Sequence, residues 1–183
     1  MRLIFASLLL MFFLGACVQE EVTEIIHAGP ETDFAVAVIQ PTEGNEARGI
    51  VTFTRVDEGV RVHATVSGLQ PGQPHGFHVH EYGDCRSADA LSAGGHYNPT
   101  DMPHGGPTDT ERHMGDLGNL PADDDGVAIL EYTDLKLTLS GKHSILGYAV
   151  IVHRDRDDLV SQPVGDAGPR IGCGIIGVGN PDF

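Results

Sequence analysis

The chain has 183 residues, enough for one domain of ordinary size. Lys and Arg number 11 against 26 Asp and Glu, a formal net charge of −15, which argues against a nucleic-acid backbone as partner because that needs clustered cations. Hydrophobic residues make up 40%, which supports a packed core and excludes wholesale disorder. The 24 Gly and 11 Pro exceed their usual joint share of about 12% and favour turns over long helices. Ten His stand out in the composition, and neutral imidazole is the commonest metal ligand.

Residues 1–16 read as an export signal. Arg2 is the only charge, and Leu3 to Leu14 is apolar apart from Ser7, a run too short to span a bilayer comfortably. The segment ends in Leu14-Gly15-Ala16-Cys17, which resembles the lipobox of bacterial lipoproteins. That resemblance implies cleavage before Cys17 and a diacylglycerol on its sulfur, so an exported protein of the cell envelope or periplasm, anchored to a membrane through Cys17. The alternative is ordinary signal cleavage and a soluble exported protein. Residues 17–32 carry acids without a clear period and read as a flexible, lipid-anchored tether; residues 33–183 read as the folded domain. The Cys left besides Cys17 are Cys85 and Cys173, which in an exported chain read as one disulfide.

From residue 33 the pattern is strand after strand. Phe34–Gln40, Ile50–Arg55 and Val60–Val66 are rich in β-branched residues, and Gly, Pro, Asn and Asp clusters separate them. His75–Glu81 is a fourth strand and Asp116–Leu120 a weaker fifth. Val127–Thr133, Leu146–His153 and Ile171–Val178 complete eight. No segment sustains a 3.6-residue period, so the class is all-β, a sandwich or closed barrel. Residues 82–115 and 154–170 lack a strand pattern. Loops of that length in a compact domain are usually functional or disordered, and their Gly, Pro, His, Asp and Arg favour function.

His78 and His80 sit two apart on the fourth strand, so both imidazoles take one face while Phe77 and Val79 take the other. The apolar pair is expected in the core and the imidazoles facing outward. His96, His104, His113 and Asp116 follow in or just after the first long loop, and His153 ends the seventh strand. Solvated or structurally satisfied histidines explain His27, His63 and His143 well. They explain six His and one Asp gathered at one strand pair and one loop poorly. Such nitrogen ligands suit a borderline or soft divalent ion.

Gly76-Phe77-His78-Val79-His80-Glu81-Tyr82-Gly83-Asp84 resembles the copper-binding strand of copper–zinc superoxide dismutases. Gly94-Gly95-His96-Tyr97-Asn98-Pro99, His104-Gly105-Gly106-Pro107 and Arg112-His113-Met114-Gly115-Asp116-Leu117-Gly118-Asn119 follow in that family's order. So do Val152-His153, Asp157-Asp158-Leu159 and Gly165-Asp166-Ala167-Gly168-Pro169-Arg170-Ile171-Gly172-Cys173-Gly174. The resemblance spans about residues 33–183 and implies an eight-stranded Greek-key β-sandwich or barrel with two long functional loops.

It also implies one copper and one zinc per subunit. Copper would take His78, His80, His96 and His153, a four-nitrogen set suited to Cu(II). Zinc would take His96, His104, His113 and Asp116, a closed tetrahedral N₃O set. His96 belongs to both and would bridge the metals through its two ring nitrogens. The implied reaction disproportionates superoxide to O₂ and H₂O₂, with His96 taking up a proton in one half-reaction and passing it on in the next. Asp157 would link a copper histidine to a zinc histidine, and Arg170 would draw the anion toward copper. His75 would make structural hydrogen bonds, and Cys85 and Cys173 would form the intrasubunit disulfide. A homodimer is left open. The rival readings are an exported copper/zinc-binding module that buffers or delivers copper without turnover, and a plain adhesive sandwich that leaves the histidines unexplained.

Overall fold

The computed structural model describes residues 32–183. The segment read as an export signal, Cys17 and all but the last residue of the stretch read as a tether lie outside the described residues. Among the described residues there is no α-helix, and no helix is long and apolar enough to cross a membrane.

Period-2 alternation builds the first half of the domain. Strand β1 (Phe34–Pro41) turns Ala35, Ala37 and Ile39 inward, and β3 (Gly59–Ser67) buries Val60, Val62, Ala64 and Val66 while Arg61 and Thr65 face solvent. Between them β2 (Arg48–Val56) contributes Val51 and Phe53. Then come β4 (Pro74–His80), a single 3₁₀ turn at Leu91–Ala93, β5 (Asp116–Pro121), β6 (Ala128–Asp134), β7 (Ala149–His153), β8 (Arg170–Ile175) and the short β9 (Gly177–Val178).

The strands run β5-β4-β7-β8-β1-β2-β3-β6, with β9 paired to β1. Every pairing is antiparallel. Neither β3 and β4 nor β6 and β7 are neighbours, which is the crossover pattern of a Greek key. The path ends, β5 and β6, follow each other in sequence and are tied by an Ala122–Ala128 bridge, so the sheet is almost closed into a barrel. One core fills it, centred on Phe53, Phe77, Leu117, Leu120 and Ile145, all essentially without solvent contact. Burying an aromatic ring of that kind contributes about 1.5–3 kcal/mol.

Three expectations are corrected. His78 and His80 do not face solvent: they are 0% and 1% exposed, because the loop connections fold over the outer face of β4. The seventh strand begins at Ala149, since Leu146–Tyr148 forms a turn that hydrogen-bonds with Ile176. The eighth divides at Ile176, where the chain leaves β7 and crosses to β1 as β9.

Two irregularities shape the site. The ladder β4–β5 shifts register between Gly76 and His78, and the ladder β7–β8 between Val152 and His153. Such bulges re-aim side chains next to active sites, and each lies at a histidine of the cluster. The Cys85–Cys173 disulfide (Cα–Cα 5.9 Å) joins the first long loop to β8 over a sequence separation of 88. In the chain-entropy model that closure is worth on the order of 4 kcal/mol. Beneath it a small satellite core of Ala90, Ala93, Ala149 and Ile151 seats the loop on the barrel.

Candidate metal centre

Two groups of donors converge beside the barrel, each with its ligand atoms within 4.8 Å of one another: His78, His80, His96 and His153, and His96, His104, His113 and Asp116. All seven side chains are buried.

Strands β4 and β7 supply the first group. His78 and His80 stand two apart on β4, and His153 ends the neighbouring β7. His96 arrives from the first long loop, whose backbone bridges His80. One nitrogen of each ring is held by the protein. His80 Nδ1 bonds the Gly94 carbonyl at 2.9 Å, His153 Nδ1 the Gly168 carbonyl at 3.0 Å, and His78 Nε2 the Asp157 carboxylate at 2.7 Å. The other nitrogens point inward. His80 Nε2 and His153 Nε2 lie 3.3 Å apart, while His78 Nδ1 and His96 Nε2 are buried with no hydrogen-bond partner. Buried polar atoms are almost always paired, so two orphaned imidazole nitrogens aimed at a common point fit a cation.

The second group is tighter. Asp116 Oδ1 lies 2.8 Å from His96 Nδ1, 3.0 Å from His104 Nδ1 and 3.1 Å from His113 Nδ1. A tetrahedral zinc shell with bonds of 2.0–2.1 Å needs donors about 3.3 Å apart. His104 Nδ1 is near the carboxylate yet makes no hydrogen bond to it, because it points at the centre of the group. The remaining Asp116 oxygen accepts the backbone N–H groups of Gly105 (3.0 Å) and His113 (2.9 Å).

Asp157 ties the two groups together. It is 0% exposed, with one oxygen 2.7 Å from His78 Nε2 and the other 3.0 Å from His104 Nε2. Gly165 makes room for it. Its φ is +70°, and a β-carbon there would collide with the Asp157 carboxylate and the His104 ring.

Burial governs the protonation of the protein alone. It lowers the pKa of His78, His80 and His153, and with the help of neighbouring His78 it brings His96 down to about 4. At neutral pH these rings are the neutral imidazoles a metal requires. Burial acts the same way on His104, but the adjacent Asp116 and Asp157 carboxylates outweigh it and raise that ring to about 9. For both carboxylates burial is likewise overcome by their histidine partners, which hold Asp116 and Asp157 well below the usual range.

A cavity of about 820 Å³ opens onto His80, His96 and His153, with Arg170 in its wall. Arg170 donates Nη1 to the Ala90 carbonyl (2.6 Å) and Nη2 to the Gly94 carbonyl. Gly94 thus fixes His80 and Arg170 with one oxygen.

A family model described as copper/zinc superoxide dismutase matches residues 47–176. The chain belongs to the copper/zinc superoxide dismutase family. Over 151 residues it is 48% identical to "Superoxide dismutase [Cu-Zn] 2" of Mesembryanthemum crystallinum, covering 79% of this chain and 94% of that protein. A crystal structure of the clock protein EA4 is similar, with 42% identity and a TM-score of 0.73 over 82% of this chain and 98% of that one. The reaction of this dismutase is the disproportionation of superoxide, and its cofactors are copper and zinc. The rival reading of a copper carrier without turnover gives way to the enzyme.

The seven ligand candidates gather at this centre with Asp157 and Arg170 beside them, Cys85 and Cys173 pair in the disulfide, and Cys17 lies outside the described residues. His75, expected to serve structure, bonds the His153 carbonyl through Nδ1 at 2.9 Å. Sequence reasoning missed several supports of the dismutase site. Asn119 brackets the Asp157 backbone with its amide, accepting from N–H (2.8 Å) and donating to the carbonyl (3.0 Å). Gln162 does the same for His104, at 2.8 and 2.9 Å. Neither residue type carries a metal signal; Asn119 is detectable only as the end of the motif that begins at Arg112.

Proposed function

We propose that His78, His80, His96 and His153 hold copper, that His96, His104, His113 and Asp116 hold zinc, and that His96 bridges the two. The observation that carries this reading is the split orientation of the His96 ring. Its Nδ1 lies 2.8 Å from Asp116 in one donor group, and its Nε2, buried and without a protein partner, faces the other. When bound there, copper supplies one-electron chemistry, and zinc, which has none, supplies positive charge.

The chain's own residues do the rest. The Arg170 guanidinium stays charged at working pH and hydrogen-bonds the superoxide anion in the cavity next to His80, His96 and His153. His96 Nε2 holds a proton between half-reactions and releases it to the peroxide product. Asp157 fixes the tautomers of His78 and His104 by accepting from both Nε2 atoms. Superoxide decay followed in metal-free, zinc-only and copper-plus-zinc protein tests the reading. Catalysis is expected only with copper present, at one copper and one zinc per chain. Full catalysis by zinc-only protein would overturn it.

We further propose that residues 1–16 are an export signal, that 17–32 tether the domain of residues 33–183, and that lipidated Cys17 anchors the enzyme in the cell envelope. The support is the apolar run ending in Leu14-Gly15-Ala16-Cys17, and after cleavage a diacyl group is the one hydrophobic anchor of this reading. Cys17→Ser is expected to move the protein from the membrane fraction to the soluble fraction with its activity intact. Unchanged membrane association would contradict the anchor and leave the enzyme assignment untouched.

A further inference from the structure

Arg112 heads the largest fully buried side chains of the described residues and belongs to neither donor group. A buried guanidinium is costly unless its charge and its donors are met. Its Nη2 donates to both oxygens of Asp134, at 2.7 Å each, and Asp134 is itself 1% exposed. Its Nη1 donates to three backbone carbonyls, of His113 (2.9 Å), Met114 (3.3 Å) and Asp116 (3.3 Å). Those carbonyls outline the turn that carries two donors of the second group, His113 and Asp116. The far end of the contact is equally fixed: Asp134 Oδ1 accepts the N–H groups of Lys136 (2.8 Å) and Leu137 (3.0 Å) where β6 ends. Lys136 Nζ in turn bonds the Thr110 carbonyl at 2.6 Å, two residues before Arg112.

We propose that Arg112 is a positioning residue for zinc, a buried strut anchored on Asp134 of β6 that sets His113 and Asp116 in place before the metal arrives. The proposal rests on the zinc assignment above. It differs from a plain core ion pair in what a replacement has to do. An ion pair that serves stability alone is replaceable by apolar side chains of similar volume with little loss. A strut needs the planar fork of arginine, which reaches a carboxylate on one side and several carbonyls on the other; the single ammonium of lysine does not span both.

Full-length Arg112→Lys and the double variant Arg112→Met/Asp134→Leu separate the two roles. Three quantities are read: zinc affinity by chelator competition, the visible absorption of Co(II) placed in the zinc site, and the unfolding temperature of the metal-free protein. In both variants zinc affinity is expected to fall tenfold or more, the range seen when groups that orient metal ligands are lost. The Co(II) bands are expected to shift or weaken, while the double variant unfolds no earlier than Arg112→Lys. Wild-type zinc affinity and an unchanged Co(II) spectrum in folded Arg112→Lys would overturn the strut, and so would recovery of zinc affinity in the double variant. If the double variant does not fold, Arg112→Lys alone decides. His104→Ala distinguishes failure of the underlying assignment: wild-type zinc affinity in that variant removes the zinc site itself, whereas its loss beside an unaffected Arg112→Lys removes only the strut.

Discussion

Arg170 is set before any substrate arrives, because each terminal nitrogen already donates one of its two N–H groups, to the Ala90 or the Gly94 carbonyl, and keeps the other for an anion. Burial lowers its pKa, and Asp89 and Glu81 partly offset that shift; the group remains a cation at every working pH. A fixed cation in the cavity wall gives superoxide a local attraction that the chain as a whole does not. Arg170→Ala is therefore expected to lower the second-order rate roughly tenfold, if about 1.4 kcal/mol of attraction is lost. Arg170→Glu is expected to lower it further, with copper and zinc content unchanged, as checked by superoxide decay beside metal analysis. A wild-type rate in Arg170→Glu with both metals in place would contradict the role. The identity of this arginine was legible in the sequence through its place in the final motif. Its orientation was not, since the atoms that hold it are backbone carbonyls, and a backbone acceptor leaves no trace in residue type.

Strand β4 shows the same division at the scale of an element. Alternation placed His78 and His80 on one face and Phe77 and Val79 on the other, which the structure bears out. That the histidine face would also be buried was not legible, because residues 82–115 have no periodicity from which to read where they fold. What covers them matters for chemistry: burial keeps the rings of β4 and β7 neutral in the protein alone. Unfolded imidazoles titrate near 6.5, whereas folded His78, His80 and His153 titrate lower and His96 at about 4. Below about pH 6.5 the unfolded chain therefore binds more protons than the folded one, and stability falls with pH. The depressed carboxyls of Asp116 and Asp157 act in the same direction once pH approaches the ordinary carboxylate range. His104 works oppositely: raised to about 9, it contributes stability that is complete below its unfolded value and lost as pH rises through 9. The unfolding temperature of the metal-free protein is thus expected to fall from pH 7 to pH 5. A flat profile across that interval would contradict the buried neutral histidines.

Across the whole molecule, the barrel supplies rigidity and the loops supply chemistry. The disulfide seats the first loop on β8, the strand that begins with Arg170, and Asp157 draws the second loop against His78 and His104. A chain of net charge −15 so concentrates its one-electron site at a single cavity with an arginine in its wall. Everything in this arrangement meets at His96, whose Nδ1 and Nε2 face different donor groups. Metal content of purified His96→Ala, measured together with superoxide decay after offering both metals, tests that claim most directly. The bridge requires that copper and zinc both bind more weakly and that dismutation falls with them. Full occupancy of both metals, with the wild-type rate, would contradict it.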